Sequence, residues 1–375
     1  MRPEPPASAG TERGASIAAW PRYRDNLARH LIGVARELQT RVQHALGERF
    51  GYRDLRPSFA PFLTLLWDEG RPLRAVAHEL AISNQASSQV ADLVEAAGYL
   101  ERRPNPQDRR SKLVLLTPRG RALAEQGVRL ILENEAEYAA LVGPGAFRRF
   151  TSALAALYQG LGLPAHTDPR LLARAGRSVG VLPPIAVRIQ RELMEATLAR
   201  GHAGLKMSYG QVLPLIGPEG GRIHEIARLQ RVSRQAISAT TLELEALGYL
   251  RREPDPRDRR GVVLVLTSRG TALIRDSVAA LDELERRFRG LIGERRLASL
   301  RAVARDLYRA LRLEAEIFET PPEPRAAARA RSGRKRARGG SDIERLATRL
   351  RSSLGSGGAA RLAALLEPPA RRTSP

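Results

Sequence analysis

The 375-residue sequence contains no cysteine, which excludes disulfide bonds, thiolate zinc sites and thiol redox sensing. Its six histidines are scattered, and no two have the spacing that would hold a metal ion on one helix. No apolar run reaches the ~18 residues of a membrane-spanning helix, and the N-terminal residues lack the apolar stretch of a signal peptide. We therefore expect a cytoplasmic protein without a metal or a membrane partner.

The sequence also lacks the patterns of common catalytic sites. Its serines and histidines form no nucleophile elbow and no paired arrangement, and its carboxylates are scattered. No glycine-rich phosphate loop follows a predicted strand. We expect no catalytic residues and no cofactor, and we interpret the chain as a binding protein rather than an enzyme.

Lysine is nearly absent, although the chain is strongly basic. Only three of its 62 basic residues are lysines, so arginine carries almost all of the positive charge behind a net charge of +22. Such a charge favours a polyanionic partner, with nucleic acid ahead of an anionic membrane surface. A GC-rich genome, which raises the arginine content of proteins whatever their function, is the alternative explanation.

What the sequence does contain is an internal repeat of 150 residues. Residues 98–120 (GYLERRPNPQDRRSKLVLLTPRG) align without a gap on residues 248–270 (GYLRREPDPRDRRGVVLVLTSRG), and 13 of the 23 positions are identical. A period of this length corresponds to a whole domain, not to a solenoid repeat. The predicted segments are a disordered N-terminus (1–19), a first domain (20–163), a linker (164–170), a second domain (171–315) and a basic, mostly disordered tail (316–375).

Each repeat predicts short helices followed by a hairpin. In the first repeat, Ser83 is a suitable N-cap for a helix that ends near Ala97. Strands are expected over Tyr99–Arg103 and Lys112–Thr117, joined by a loop (104–111) that contains proline, asparagine and aspartate. Thr117 is a suitable N-cap for the next helix, with proline at its first position. The second repeat predicts the same elements 150 residues later.

Two prolines interrupt this correspondence in the second repeat. Pro183-Pro184 falls within its first expected helix. Proline in a helix interior removes a hydrogen bond and costs about 3 kcal/mol. We therefore predict that this helix is broken there or begins after Pro184.

Two closely joined helices and an arginine-rich hairpin form a winged helix-turn-helix arrangement, which suits DNA. The sequence resembles the MarR (multiple antibiotic resistance regulator) family of bacterial transcription regulators. The resemblance rests on a Gly-hydrophobic pair, an Asp-x-Arg wing motif and a Leu-Thr-x-x-Gly motif, each present in both repeats. These are Gly98-Tyr99, Asp108-Arg109-Arg110 and Leu116-Thr117-Pro118-Arg119-Gly120 in the first repeat, and Gly248-Tyr249, Asp258-Arg259-Arg260 and Leu266-Thr267-Ser268-Arg269-Gly270 in the second.

The resemblance implies a mainly α-helical fold with small β-hairpin wings. Members of this family usually act as homodimers whose N- and C-terminal helices interlock. Here about seven residues, Pro164–Arg170, join the two repeats and span at most ~25 Å. We therefore predict tandem winged helix-turn-helix domains that form an intramolecular pseudo-dimer, monomeric in solution.

The Ser-capped helix of each repeat is the one that the resemblance assigns to base recognition. Asn and Gln favour adenine edges and Arg favours guanine, so the two repeats should read different sequences. An ordinary polar helix surface is the alternative for some of these residues. In the first repeat, the inward face is predicted to consist of Ala86, Val90, Leu93 and Ala97. The candidate reading residues are Asn84, Gln85, Ser88 and Gln89 in the first repeat, and Arg234, Gln235 and Ser238, with Ala239 at the fourth position, in the second.

Each hairpin tip carries two arginines after an aspartate. Guanidinium groups fit a narrow minor groove, where the negative potential is strongest, although a solvated basic face is the alternative. The aspartates either form the turn or, as the resemblance implies, also orient a neighbouring arginine. The candidate DNA contacts are Arg109, Arg110, Arg259 and Arg260, and the candidate orienting residues are Asp108 and Asp258.

The family places a pocket for a small, typically aromatic ligand between its dimer helices and its DNA-binding lobe. Aromatic residues at helical spacing are candidates to line such a pocket, although they belong more often to an ordinary core. The candidates here are Phe59, Phe62, Trp67 and Tyr209.

These features predict a bacterial, nucleoid-associated transcription regulator that binds double-stranded DNA. We expect a ligand-responsive repressor that reads an asymmetric operator of two half-sites. The basic tail is expected to add phosphate contacts without sequence choice, or to reflect composition alone. The alternative function is an architectural, nucleoid-type DNA-binding protein without ligand response. A second repeat kept only for packing is disfavoured by its intact wing motif.

Overall fold

The computed structural model describes residues 18–52, 55–56, 58–66, 70–80, 82–106, 108–163, 178–230, 232–255 and 258–313. Contacts divide the chain into residues 1–319 and residues 320–375, and every described residue belongs to the first unit. The predicted linker (164–170) and tail (316–375) lie outside the described residues. Residues 18–24 are helical, so the N-terminal segment predicted as disordered (1–19) overlaps a helix by two residues.

The described chain is mainly helical, with two small antiparallel sheets, and from the first long helix of each half onward its two halves have the same order of elements apart from one short strand, which only the first half has. The elements of the first half are α1 (18–24), α2 (Leu27–Phe50), α3 (Phe59–Leu65), β1 (Arg71–Pro72), α4 (Leu73–Glu79), α5 (Asn84–Ala96), β2 (Leu100–Asn105), β3 (Asp108–Leu116), α6 (Pro118–Val142) and α7 (Pro144–Gly160). Those of the second half are a 3-10 turn (Val179–Val181), α8 (Leu182–Ala199), α9 (Tyr209–Ile216), α10 (Ile223–Gln230), α11 (Arg234–Ala246), β4 (Leu250–Asp255), β5 (Asp258–Leu266), α12 (Ser268–Ile292) and α13 (Glu294–Ala310).

Helix α8 begins earlier than predicted. It starts at Leu182, so both Pro183 and Pro184 lie in its first turn. The first four N–H groups of a helix have no intrahelical partner, and proline therefore costs no hydrogen bond there. The expectation that this helix is broken at the two prolines or begins after Pro184 is wrong.

Both hairpins are longer than predicted. The ladder of β2 and β3 continues to the pair of Asn105 and Asp108, with a shift of register after Pro104. The bulge lets the chain pass a proline without ending the ladder, so the expected loop over 104–111 shrinks to the tip of the hairpin. β4 and β5 repeat this arrangement. β1 adds a third strand beside β3, and a single bridge takes its place in the second half.

The long helices of the two halves share one hydrophobic cluster. α2 packs on α8, and α7 packs on α13. Separation of the halves would expose this cluster to water, so they are expected to fold as one unit. Its buried side chains include Leu31, Leu38, Phe150 and Leu157 from the first half and Ile185, Leu284, Phe288 and Leu307 from the second.

Each half also has a smaller hydrophobic cluster around its short helices and hairpin, which we call its lobe. Tyr99 is buried in the first lobe and Tyr249 at the equivalent position of the second. The guanidinium groups of Arg119 and Arg269 lie 5.1 Å and 4.8 Å from the centres of these two rings. The two lobes are therefore built alike around the tyrosine that lies three residues after the end of α5 and of α11.

The Leu-Thr-x-x-Gly motif determines how closely each hairpin approaches the next helix. Thr117 caps α6, since its Oγ1 accepts a hydrogen bond from Gly120 N (3.0 Å) and donates one to Gly98 O (2.7 Å). A Cβ atom at Gly120 would lie 2.0 Å from the carbonyl oxygen of Tyr99, and one at Gly270 would meet the equivalent oxygen at 2.1 Å. Glycine is therefore required at both positions for this backbone contact.

Candidate nucleic-acid interface

Helix α5 presents its first turn to solvent. The Ser83 side chain accepts a hydrogen bond from Ala86 N (3.1 Å), which confirms the predicted cap. Of the four candidate reading residues, Asn84, Gln85 and Gln89 are exposed, whereas Ser88 is half-buried. The exposed amide groups are therefore accessible to a partner that approaches the N-terminal end of α5.

Helix α11 presents a different set of groups at the same positions. Ser233 caps it through Ala236 N (3.1 Å). Arg234, Gln235 and Ala239 are exposed and Ser238 is half-buried, like Ser88 in the first lobe. A guanidinium group thus stands where the first lobe has the amide group of an asparagine.

The most deeply buried positions of α5 lie one residue further along the chain than the predicted ones. Ser87, Ala91 and Val94 are buried, whereas Leu93 is 38% exposed. Ser87 lies on the same face as Ala91 and Val94, and its Oγ is 3.4 Å from the Leu73 carbonyl oxygen, so a residue that looks polar in the sequence belongs to the core. The second repeat has Ile237 at the equivalent position, and that apolar residue was the signal for the correct face. Of the predicted inward residues, Val90 and Ala97 are half-buried and pack against the cluster of the first lobe, Ala86 is half-buried, and only Leu93 is exposed.

An arginine in each lobe ties the hairpin to the helix that precedes it, α5 or α11. Arg102 on β2 contacts Asp92 (2.5 Å) and Glu95 (2.9 Å) on α5. Arg252 on β4 makes the equivalent contact with Glu245 on α11 (2.9 Å). These ion pairs hold each hairpin beside the helix that precedes it, so the two present a combined surface.

The wing arginines lie next to the hairpin tips. Arg109 and Arg110 follow Asp108 at the start of β3, and Arg259 and Arg260 hold the same places in β5. The side chains of these four arginines and of Asp258 lie outside the described residues, and their roles stay predictions. In the first hairpin, the described contacts join the Asn105 side chain to Ser111 Oγ (2.9 Å) and Ser111 Oγ to the Asp108 carbonyl oxygen (3.1 Å).

A buried ion pair that the sequence pattern did not predict supports the second hairpin. Asp255, at the end of β4, is 4% exposed and accepts hydrogen bonds from Arg222 Nη2 (2.8 Å) and Nε. The bond to Asp255 is the main cause of the raised pKa of Arg222. The first lobe has Asn105 and Pro72 at these positions, so a comparison of the two repeats would have shown both charges appearing together.

The predicted pocket residues lie in different places. Phe59 (2% exposed) and Phe62 (1% exposed) are part of the hydrophobic cluster of the first lobe. Tyr209 lines a cleft of about 540 Å³ between the long helices and the second lobe. Trp67 lies outside the described residues.

The described parts of the chain hold neither a helix long and apolar enough to cross a membrane nor a group of three or more histidine or carboxylate side chains that could bind a metal ion. The features that stand out in these parts are the two exposed helix ends, the hairpins tied to them and the cleft beside the second lobe.

The second lobe contains the exposed helix α11, the arginine contact of Arg252 and the hairpin of β4 and β5. It also contains a segment that matches a known family. Residues 203–261 match the MarR family. The matching segment runs from just before α9 into β5, so it contains α11 and most of the hairpin of β4 and β5. None of the proteins of curated function matches the chain.

Two solved structures are similar to parts of the chain. A transcriptional repressor, CouR, bound to a 23-mer DNA duplex, shares 26% identity over 29% of this chain and 75% of that chain, with a TM-score of 0.26. The transcriptional regulator Tm0710 from Thermotoga maritima shares 23% identity over 36% of this chain and 93% of that chain, with a TM-score of 0.28.

Proposed function

We propose that this protein is a DNA-binding transcription regulator that carries two winged-helix lobes on one chain. The observation that carries the proposal is the exposed first turn of α5 and of α11, each tied by an arginine to the following hairpin. A helix presented in this way fits the major groove, while the hairpin beside it can reach the minor groove. The MarR match over the second lobe supports this interpretation.

We propose further that the two halves are fused copies of one domain that act as a pseudo-dimer. The first half repeats the element order of the second, its serine cap and its wing motif. The cluster shared by the long helices of both halves supports the pairing. One chain would then supply the two reading helices that a homodimer obtains from two chains.

The regulator is proposed to be a repressor that responds to a small ligand. The cleft of about 540 Å³ has the size of a site for a small organic molecule. Because the cleft is lined both by long helices and by the second lobe, a ligand bound in it can favour a relative position of helices and lobe that binds DNA less tightly. A small aromatic molecule is the ligand expected from the resemblance.

Selection of bound fragments from random double-stranded DNA tests the proposed function. We expect enrichment of two half-sites about one helical turn (~10 bp) apart. Uniform recovery of all sequences would contradict sequence-specific regulation. It would support the architectural alternative, for which the net charge of +22 is the favouring observation.

The fusion predicts a monomer in solution. One chain already supplies both sides of the shared cluster, so light scattering should give the mass of a single chain, 41.2 kDa, at every concentration. A species of twice this mass that persists on dilution would show instead that pairing occurs between chains.

The different first residues of the two recognition helices predict an asymmetric operator. Arg234→Ala should weaken binding by about 1–3 kcal/mol and relax base choice in one half-site, where arginine would favour guanine. Asn84→Ala is the matched variant at the same position of the first lobe, and it should relax an adenine preference in the other half-site. Fragment selection with each variant measures both effects. A palindromic consensus, or an Arg234→Ala effect spread over both half-sites, would show that these residues do not read bases.

A further inference from the structure

A basic pocket lies between the short helices and the hairpin of the first lobe. Its volume is about 320 Å³, and it is lined by Arg74 from α4, by Ser88 from α5, by Arg102 from β2, and by Ser111 and Lys112 from β3. None of the residues that line this pocket is acidic. Three cationic side chains from three different elements are therefore gathered around one small space, outside the exposed turn of α5 and the hairpin tip.

Two of the three cations have no counter-charge among the described residues. Arg102 is paired with Asp92 and Glu95, and these contacts hold the hairpin beside α5. Arg74 and Lys112 are exposed, and neither forms an ion pair within the part of the chain that the structure describes. An anion in the pocket would therefore gain charge-assisted contacts with two cations that no carboxylate already occupies.

The pocket also offers a hydroxyl group as a donor. Ser111 Oγ already donates to the Asp108 carbonyl oxygen (3.1 Å) and accepts from the Asn105 side chain (2.9 Å). Ser88 Oγ makes no hydrogen bond within the described residues, so its proton is available to a bound oxygen atom. Arginine, lysine and serine side chains are the groups that commonly contact phosphate oxygens. The donor set of the pocket therefore suits a phosphate group.

The position of the pocket indicates which phosphate can reach it. In the proposed complex with DNA, α5 enters the major groove and the hairpin reaches the adjacent minor groove. One strand of the sugar-phosphate backbone separates these two grooves, so its phosphates pass between the helix and the hairpin. The pocket lies between the same two elements. A phosphodiester group of the bound duplex is therefore the anion nearest to it.

The second lobe lacks both of the uncompensated charges. His224 stands at the position of Arg74, and Val262 stands at the position of Lys112. Both of these residues are exposed, so the difference lies on the surface and not in the core. In a homodimer the two lobes would carry identical groups here, but fusion has allowed them to differ.

The additional arginine of the second lobe does not replace these charges. Arg222 stands where the first lobe has Pro72 in the lining of its pocket, but two carboxylates surround it. Asp255 accepts hydrogen bonds from its Nε and Nη2, and Glu225 lies 3.6 Å from its Nη1. This cluster therefore offers no net positive charge to a phosphate group.

We propose that the first lobe binds one phosphodiester group of DNA in this pocket, through Arg74, Lys112 and Ser88, and that the second lobe has no equivalent site. The inference deepens the proposed function and rests on it, because the phosphate belongs to the duplex that α5 reads. The first lobe then anchors the chain on the backbone, and its half-site contributes more to the salt dependence of binding than the other half-site does.

The salt dependence of the affinity of the full chain for the selected duplex, measured by fluorescence anisotropy, tests the site. The variant Arg74→Gln/Lys112→Gln removes two exposed charges without a change in the core. Because both side chains contact one phosphate, the slope of the logarithm of affinity against that of salt concentration should become shallower by about 0.9. The affinity should fall roughly tenfold at about 0.1 M salt.

Two control variants separate the pocket from general charge. His224→Gln/Val262→Gln places the same side chains at the matched positions of the second lobe. Arg295→Gln/Arg296→Gln removes two exposed positive charges from α13. Both controls should leave the slope unchanged. An unchanged slope in the pocket variant, or an equal change in either control, would overturn the proposal. So would a change of about 1.8, since the two cations would then contact separate phosphates.

Duplexes in which single phosphates are replaced by uncharged methylphosphonates locate the site. One replacement, in the half-site of the first lobe, should weaken binding of the unaltered chain about tenfold and that of the pocket variant far less. Calorimetric titration of the DNA-free chain with inorganic phosphate separates DNA from a free phosphate compound. We expect no saturable binding, and saturable binding that the pocket variant loses while its salt slope stays unchanged would overturn the proposal. Sequence-selective DNA binding with an unaltered slope in the pocket variant would remove the pocket alone, whereas uniform recovery in the fragment selection would remove the proposed DNA reading.

Discussion

Replacing Gly270 by alanine is expected to destabilise the second lobe by about 1–3 kcal/mol, toward the upper end of that range. The added Cβ would lie 2.1 Å from the carbonyl oxygen of Tyr249, and a backbone atom cannot move aside as a flexible side chain can. Gly120→Ala should have the same effect in the first lobe, where the distance is 2.0 Å. Urea unfolding measures the free energy of unfolding of each variant.

Gly120 lies on α6 and Gly270 on α12, and each of these two helices contains a second glycine that serves as a matched control. Gly127 on α6 and Gly290 on α12 have open space around the position of a Cβ atom. Alanine at either should stabilise the chain by about 0.5–1 kcal/mol, because glycine loses more conformational freedom on folding. Equal effects at Gly127 and Gly120 would show that helix propensity alone, and not the contact with Tyr99, determines the outcome.

The features that were predicted correctly depend on groups close together in the chain. Ser83 accepts a hydrogen bond from a backbone N–H three residues later, and Thr117 does the same. Such caps require only the local backbone, so the residue type and the pattern that follows are sufficient to predict them. The repeat then predicts the same caps at Ser233 and Thr267, which the structure confirms.

The features that were missed depend on contacts between distant residues. Ser87 is buried with its Oγ 3.4 Å from the carbonyl oxygen of Leu73, so the inward face of α5 includes a polar residue that the apolar pattern leaves out. Arg222 and Asp255 meet across 33 residues, between the start of α10 and the end of β4. Neither contact follows from periodicity, although each was visible as a difference between the two repeats.

The resemblance implied a pocket where the cleft beside the second lobe lies, and its candidate Tyr209 lines that cleft, but the other walls could not be predicted from the pattern of one repeat. The cleft combines α2 of the first half with the lobe of the second, so Arg29 and Arg36 line it from one half and Leu213 from the other. The aromatic candidates in the first lobe, Phe59 and Phe62, have the helical spacing of a ligand pocket but pack as core. Spacing along one helix shows which residues share a face, but the identity of the opposite wall depends on how the halves pair.

DNA affinity is expected to fall about 10³–10⁵-fold between 50 and 200 mM salt, if the lobes and the basic tail together neutralise ~6–10 phosphates. The fall arises because each neutralised phosphate releases condensed counterions, and added salt opposes that release. Fluorescence anisotropy with a fixed duplex, repeated across this range, gives the slope. A slope near zero would contradict binding through the phosphate backbone.

Deletion of residues 321–375 should flatten this slope while leaving the preferred sequence unchanged. The deleted segment carries 13 Arg and Lys residues against 4 Asp and Glu, and it lies beyond the last described helix, α13. Contacts to phosphates add affinity at any sequence, whereas base choice is expected to depend on α5 and α11. Fragment selection with the shortened chain is the control, since a changed motif would show that the tail itself reads bases and that its charge is more than a general attraction to DNA.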